Sequence, residues 1–170
     1  MRAIGKRLKR MKGIVGIALV AVLSGGWAHA APPPQRETPY WASLSASQAR
    51  MRTGPGRNYP VNWFYQRQNL PVQVLEVYPG WRKIRDPDGA EGWMIGNLVS
   101  DQRTGMIKGG TVDLLDAPHD GAKLLWRAEA GVIGTLSRCA DGWCRFDVKG
   151  RGGFVEEAKL WGVDPGETVK

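Results

Sequence analysis

Cysteine and histidine are almost missing from this sequence: 170 residues hold two of each, and one histidine, His29, falls in the N-terminal leader. A Cys-His hydrolase needs a thiolate beside an imidazole, and a zinc site usually takes three or four His or Cys ligands. Only His119, between Pro118 and Asp120 in a predicted loop, is left for either role. It reads as a solvated loop histidine; an incomplete zinc set would need that loop to meet the cysteines. No G-x-S-x-G elbow and no Walker loop occurs. The acid pairs Asp86/Asp88 and Glu156/Glu157 suit a turn and a charged surface. The chain is therefore expected to be no enzyme and to hold no metal and no cofactor.

Long hydrophobic runs are also lacking. The longest, Gly13 to Gly25, falls short of the ~20 residues a membrane-spanning helix needs. It follows Arg2, Lys6, Arg7, Lys9, Arg10 and Lys12, with no acid in the first 30 residues, and precedes Ala28-His29-Ala30. A basic region, a short apolar region and a small-residue site make a secretory signal peptide cleaved after Ala30; the alternative is a membrane anchor. No Arg-Arg pair precedes the run, so a general secretory route fits better than a twin-arginine one. Gly26 stands where a bacterial lipoprotein would need a cysteine. The expected location is periplasmic or secreted, with no stable membrane anchor after cleavage.

A strong charge bias is absent from the rest. The whole chain carries +8, but residues 31–170 hold 18 basic and 16 acidic side chains. A nucleic-acid partner normally calls for a strongly basic face, so none is expected. One local exception, the Arg-rich stretch from Arg50 to Arg57, reads as a solvated loop edge.

What the sequence does have is a repeated hairpin. Gly80-Trp81-Arg82-Lys83-Ile84 leads through Asp86-Pro87-Asp88-Gly89 to Gly92-Trp93-Met94. Large side chains suit a pleated surface, and the Pro and Gly suit a turn. Gly142-Trp143-Cys144-Arg145-Phe146 leads in the same way to Gly153-Phe154-Val155. Such a repeat predicts a duplicated small β unit, each copy of about sixty residues and near the lower limit for an independent core. The expected layout is a signal at 1–30, a Pro-rich lead at 31–39, domains at 40–100 and 104–162, and a tail at 163–170. The lead reads as an extended spacer, or as a segment that docks in an aromatic groove.

Within the first unit, alternation from Leu44 to Met51 predicts a strand, and Thr53-Gly54-Pro55-Gly56-Arg57-Asn58-Tyr59-Pro60 a loop. Strands at Val61–Tyr65 and Pro71–Val77 and a helical turn near Asn97-Leu98-Val99 complete it. In the second, Leu114-Leu115-Asp116-Ala117-Pro118 stands where Met51-Arg52-Thr53-Gly54-Pro55 stood, so an Arg and a Gly are lost. Trp126 matches Trp63, and Gly131 to Leu136 replaces the strand that Pro71 opens. The linker from Asp101 to Gly105 is short enough to set the units side by side. Trp161 is placed to pack across a barrel, and disorder is expected beyond Gly166.

Three segments carry a resemblance to the bacterial SH3 domain family. Ala49-Arg50-Met51-Arg52-Thr53-Gly54-Pro55-Gly56 resembles its N-V-R-S-G-P-G segment, Gly80-Trp81-Arg82-Lys83-Ile84 its G-W-x-x-V strand, and Asp88-Gly89-Ala90-Glu91-Gly92-Trp93-Met94 its G-x-x-G-W-V hairpin. The resemblance implies an all-β fold of two tandem, five-stranded SH3-like barrels. It implies a non-catalytic binding module of the cell envelope, with peptidoglycan stem peptides or a periplasmic protein as partner. Two alternatives are a structural accessory whose barrels stabilise an envelope complex without a small ligand, and a cell-wall hydrolase. The third would need a Cys-His catalytic domain that this chain lacks.

Cys139 and Cys144 bracket Ala140-Asp141-Gly142-Trp143, a spacing that suits facing strands of a hairpin. In an oxidising compartment this predicts a disulfide, against the alternative of a reactive redox pair. The aromatics are the remaining handle, since a small barrel cannot bury Tyr40, Trp41, Tyr59, Trp63, Phe64, Tyr65, Tyr78, Trp81 and Trp93 together. Alternation sends out either Phe64 or the pair Trp63/Tyr65. By resemblance, the ligand-binding residues are Arg52, Tyr59, Trp63 and Tyr65. The competing reading puts Trp81 and Trp93 in the core and the other aromatics between the repeats.

Overall fold

The computed structural model describes residues 36–169, so the expected signal peptide, its cleavage at Ala30 and the start of the Pro-rich lead lie outside the described residues. Seven strands come first: β1 (Tyr40–Leu44), β2 (Ala49–Arg52), β3 (Val61–Tyr65), β4 (Pro71–Tyr78), β5 (Trp81–Arg85), β6 (Glu91–Ile95) and β7 (Val99–Ser100). Seven more repeat them: β8 (Thr104–Ile107), β9 (Val112–Leu115), β10 (Leu124–Ala128), β11 (Ile133–Ala140), β12 (Trp143–Val148), β13 (Arg151–Glu156) and β14 (Leu160–Trp161). No α-helix occurs among the described residues; a 3-10 turn precedes the last strand of each set, at Gly96–Leu98 and Glu157–Lys159.

Each set forms one antiparallel sheet, and the two orders are the same: β3-β2-β6-β5-β4-β1-β7 and β10-β9-β13-β12-β11-β8-β14. Both sheets also bend at the same place. Leu75 in β4 and Ser137 in β11 are skipped in the pairing with β5 and β12. Such bulges increase local twist and help a sheet curl into a barrel. The two strands beyond the expected five are the lead strand β1 and the two-residue β7, which pair with each other.

The expected single strand from Leu44 to Met51 is split. Ser45 leaves the sheet because its N–H donates to Leu98 O and its carbonyl accepts from Gln68. These are long-range bonds that local alternation cannot report. The hairpins form as their turn residues dictate. Asp141 and Gly142 both take positive φ between β11 and β12, the backbone of the two-residue turn that matches strand twist. Cys139 and Cys144 face each other across that hairpin, Cα atoms 4.1 Å apart, and are joined by a disulfide.

Each barrel has its own core. Leu44, Met51, Val72, Val74, Ile84 and Met94 are fully buried in the first, and Ile107, Leu114, Phe146, Val155 and Leu160 in the second. Trp81 and Trp93, which the competing reading puts in the core, are half-buried on the outer face. The pleat gives the inside to their neighbours Ile84 and Met94, and Trp93 instead meets Tyr78 edge to face at 6.3 Å.

The barrels touch directly. Met106 and Ile133 pack against the first core. Thr104 Oγ1 donates to Asn69 O at 2.9 Å, and Arg67 donates to Gly131 O at 2.6 Å. Trp161 crosses to the first barrel, donating its Nε1–H to Pro71 O at 3.3 Å. The tail beyond Gly166 is ordered where disorder was expected. Glu167 pairs with Arg103, and Val169 exchanges both backbone hydrogen bonds with Cys139. It covers the free end of the long strand β11, and Val169 is buried there.

Candidate ligand-binding site

Three of the first barrel's exposed aromatics, Tyr59, Trp63 and Phe64, lie on the loop between β2 and β3 and on β3 itself; Tyr78, at the end of β4, is exposed apart from them. The loop is closed at its base by Thr53 N–H donating to Pro60 O at 3.0 Å. Inside it, Tyr59 lies on the Gly-Pro-Gly segment. A Cβ at Gly54 would stand 2.4 Å from the Tyr59 ring, so glycine is what lets the ring sit there. Arg52 latches the same loop: its Nη1 donates to Tyr59 O at 2.7 Å. Arg52 and Tyr59, both predicted site residues, are thus held together. Tyr59 still leaves 42% of its surface open.

Strand β3 is the outermost strand of its sheet. Val61, Asn62, Trp63 and Phe64 are all exposed, and burial begins only at Tyr65. Neither expected alternation holds, because an edge strand that overhangs the barrel is open to solvent on both faces. Trp63, a predicted site residue, is 50% exposed. Tyr65, predicted beside it, belongs to the core. Its hydroxyl donates to Asp86 Oδ2 at 2.9 Å. Burial, then the hydrogen bond and negative charge of Asp86, push the Tyr65 phenol far above its ordinary value.

Asp86 is itself buried and accepts the N–H groups of Asp88 and Ala90 at 3.0 and 2.8 Å. It is the anchor of the β5–β6 turn, as turn chemistry predicts. The second barrel lacks this link, since Ala128 stands in place of Tyr65 at the buried end of β10.

Three side chains beside the predicted set were missed. Arg50 lies over the Phe64 ring, 5.7 Å from its centroid, and Arg50, Arg52, Arg57 and Phe64 line one concavity with Ile95 and Leu98. The signal was present as arginines at alternate positions of a strand, which puts them on one face. His119 is exposed, with Nδ1 3.0 Å from Asp120 O, and both cysteines are held in the disulfide. These groups form no nucleophile–base pair.

Two seven-stranded, bulged sheets with one strand order, each built on a Gly-aromatic hairpin, define a tandem SH3-like barrel protein. A family model described as the bacterial SH3 domain matches residues 45–101 and again 108–162. The chain belongs to that family, whose domains are cell-wall binding modules. No curated protein matches the sequence.

Among solved structures, the chain is similar to NlpC1 and NlpC2 from Trichomonas vaginalis, at 13% and 14% identity and TM-scores of 0.33 and 0.35. The matches cover 75% of this chain and 47% and 51% of those chains. An NlpC/P60 family protein from Bacillus cereus matches at 12% identity and TM-score 0.33, over 71% of this chain and 55% of that one. The chain spans about half the length of these proteins.

Proposed function

We propose that this is an exported, non-catalytic binding module of the cell envelope that holds peptidoglycan stem peptides against the loop and edge strand of its first barrel. Arg52, Tyr59 and Trp63 are the contact residues, and the periplasm or the outside of the cell is the location. The observation that carries this reading is that Tyr59, Val61, Trp63 and Phe64 are all left open on one loop and sheet edge, Phe64 on the face of Arg50 and Trp63 on the face of Tyr65. Large apolar side chains grouped at one exposed place on a soluble protein mark an interaction site. Aromatic rings offer area to a peptide at low entropic cost, and the free edge of β3 offers backbone hydrogen bonds to an extended segment. The N-terminal basic and apolar pattern supports export, and no helix among the described residues is long and apolar enough to cross a membrane. The disulfide and the isolation of His119 support a role without chemistry.

A protein partner in the envelope is the second reading, and the second barrel favours it. Leu124, Leu125 and Trp126 are exposed on β10, the edge equivalent to β3. Two apolar edges on packed barrels would suit an accessory that bridges or stabilises a complex.

Sedimentation of the purified protein with bare peptidoglycan, beside retention of partners from envelope extract, separates the two. Sedimentation lost on Trp63→Ala, with melting temperature unchanged, supports the first reading. Retention of one defined protein with no sedimentation supports the second.

A further inference from the structure

We propose that the concavity of Arg50, Arg52 and Arg57 on the first barrel is a subsite for a peptide carboxylate. This deepens the reading above and rests on it for the source of the peptide. The concavity has a volume of about 240 Å³ and is also lined by Phe64, Ile95 and Leu98. Among the described residues, none of the three guanidinium groups is in an ion pair. Two are aimed by other contacts. Arg52 uses Nη1 on Tyr59 O, and Arg50 lies over the Phe64 ring. Each keeps further N–H donors free, because a guanidinium carries five.

Three like charges around one small depression repel each other, and an anion there relieves the repulsion. The planar fork of arginine matches a carboxylate in two parallel hydrogen bonds. Ile95, Leu98 and Phe64 add apolar lining that suits the short side chain next to such a group. A single-stranded nucleic acid would need a groove that tracks its backbone; this is one local concavity open to solvent, with room for a single small group.

The duplicate shows that the charge is not a by-product of the fold. Strand β9 places Asp113 where β2 has Arg50, and Leu115 where it has Arg52. Asp120 stands in place of Arg57, and Glu156 in place of Ile95. The equivalent concavity of the second barrel is accordingly lined by Asp113, Asp120 and Glu156, with Lys108 and Lys159. One backbone therefore carries two recognition surfaces of different charge, and carboxylate selectivity belongs to the first barrel alone.

The test titrates the full chain with N-acetyl-D-alanyl-D-alanine, with its C-terminal amide, and with the amide of N-acetyl-D-glutamate, which carries its carboxylate on a side chain. The site predicts at least one acid bound about tenfold more tightly than the neutral amide. Which acid binds identifies a terminal or a side-chain source. Arg50→Gln/Arg57→Gln should erase the preference, with the melting temperature unchanged, and added salt should weaken it.

Equal binding of acids and amide, binding of none, or a preference that survives the double substitution overturns the proposal. If the double variant sediments with peptidoglycan as wild type does, the carboxylate subsite fails and wall binding stands. If wild type discriminates the acids but never sediments, wall binding fails and the subsite stands.

Discussion

Trp41 of β1 and Trp161 of β14 meet edge to face, with ring centroids 4.9 Å apart and planes at 86°. A side chain from the last strand of the second barrel thereby completes the surface of the first. Trp41 is buried by this contact and Trp161 half-buried. Both barrels sit near the size at which a core alone is marginal, so the shared tryptophans should couple their stabilities. Trp161→Ala is expected to cost about 2–3 kcal/mol. A double-mutant cycle with Trp41→Ala should return a coupling of about 1 kcal/mol. Urea unfolding of the four proteins measures it, and additive effects would mean that the rings only happen to be near.

The Tyr65–Asp86 bond ties β3 to the β5–β6 turn inside the first barrel. Tyr65→Phe leaves the buried carboxylate one donor short and should cost about 1–3 kcal/mol. The same bond gives an alkaline signature. In the unfolded chain the phenol ionises near its ordinary value of about 10. In the folded chain burial and Asp86 hold it neutral well above that. Above about pH 10 the unfolded state releases a proton that the folded state keeps, so stability falls as pH rises. The Phe variant should lack this fall, which urea midpoints taken from neutral to alkaline pH will show.

The hairpins were legible because their information is local: Gly80, Gly89 and Gly142 sit where turns need positive φ. The strand break at Ser45 was not, since its backbone partners, Leu98 and Gln68, come from distant loops. Tyr65 was misplaced for a related reason. Period-two alternation assumes one wet face, whereas β3 overhangs the barrel and has two until its last residue. For the site, the family-like segment held Arg52 and the long loop after it held Tyr59, and the structure joins the two. Arg50 and Arg57 passed as a solvated loop edge because sequence alone could not say that they share a concavity with Phe64.

The ordered tail makes its own prediction through Glu167. Burial alone would raise its carboxyl, but hydrogen bonds from Arg103 and from Asp164 N–H outweigh burial and hold it below the ordinary range. A depressed carboxyl stabilises the fold above its unfolded value, and the contribution is lost as pH falls through the folded one. Glu167→Gln should therefore cost about 1–2 kcal/mol at neutral pH. The variant should also lose stability less steeply in acid than wild type. Hydrogen exchange at Val169, which pairs with Cys139, should quicken in the variant if Glu167 is what pins the tail.

Gly92 and Gly153 explain why both hairpins place glycine before the aromatic of their second strand. A Cβ at Gly92 would stand 2.6 Å from Met51 Cγ and 2.7 Å from Arg52 O; one at Gly153 would stand 2.7 Å from Leu114 Cβ and 2.9 Å from Leu115 O. These are the points where β6 crosses β2 and β13 crosses β9 to bring the edge strands round. Neither glycine is required by a positive φ, so the demand is for space. Gly92→Ala is expected to cost about 1–3 kcal/mol through overpacking. It should also move the Arg52–Tyr59 latch, because the obstructed atom is the Arg52 carbonyl. Gly110→Ala is the matched control: nothing lies within 4 Å of its Cβ and its φ is not positive. That change should be neutral or slightly stabilising, by reducing the freedom of the unfolded chain. Equal melting temperatures for the two alanine variants would mean that the strands part easily at this crossing and that the barrel does not depend on it.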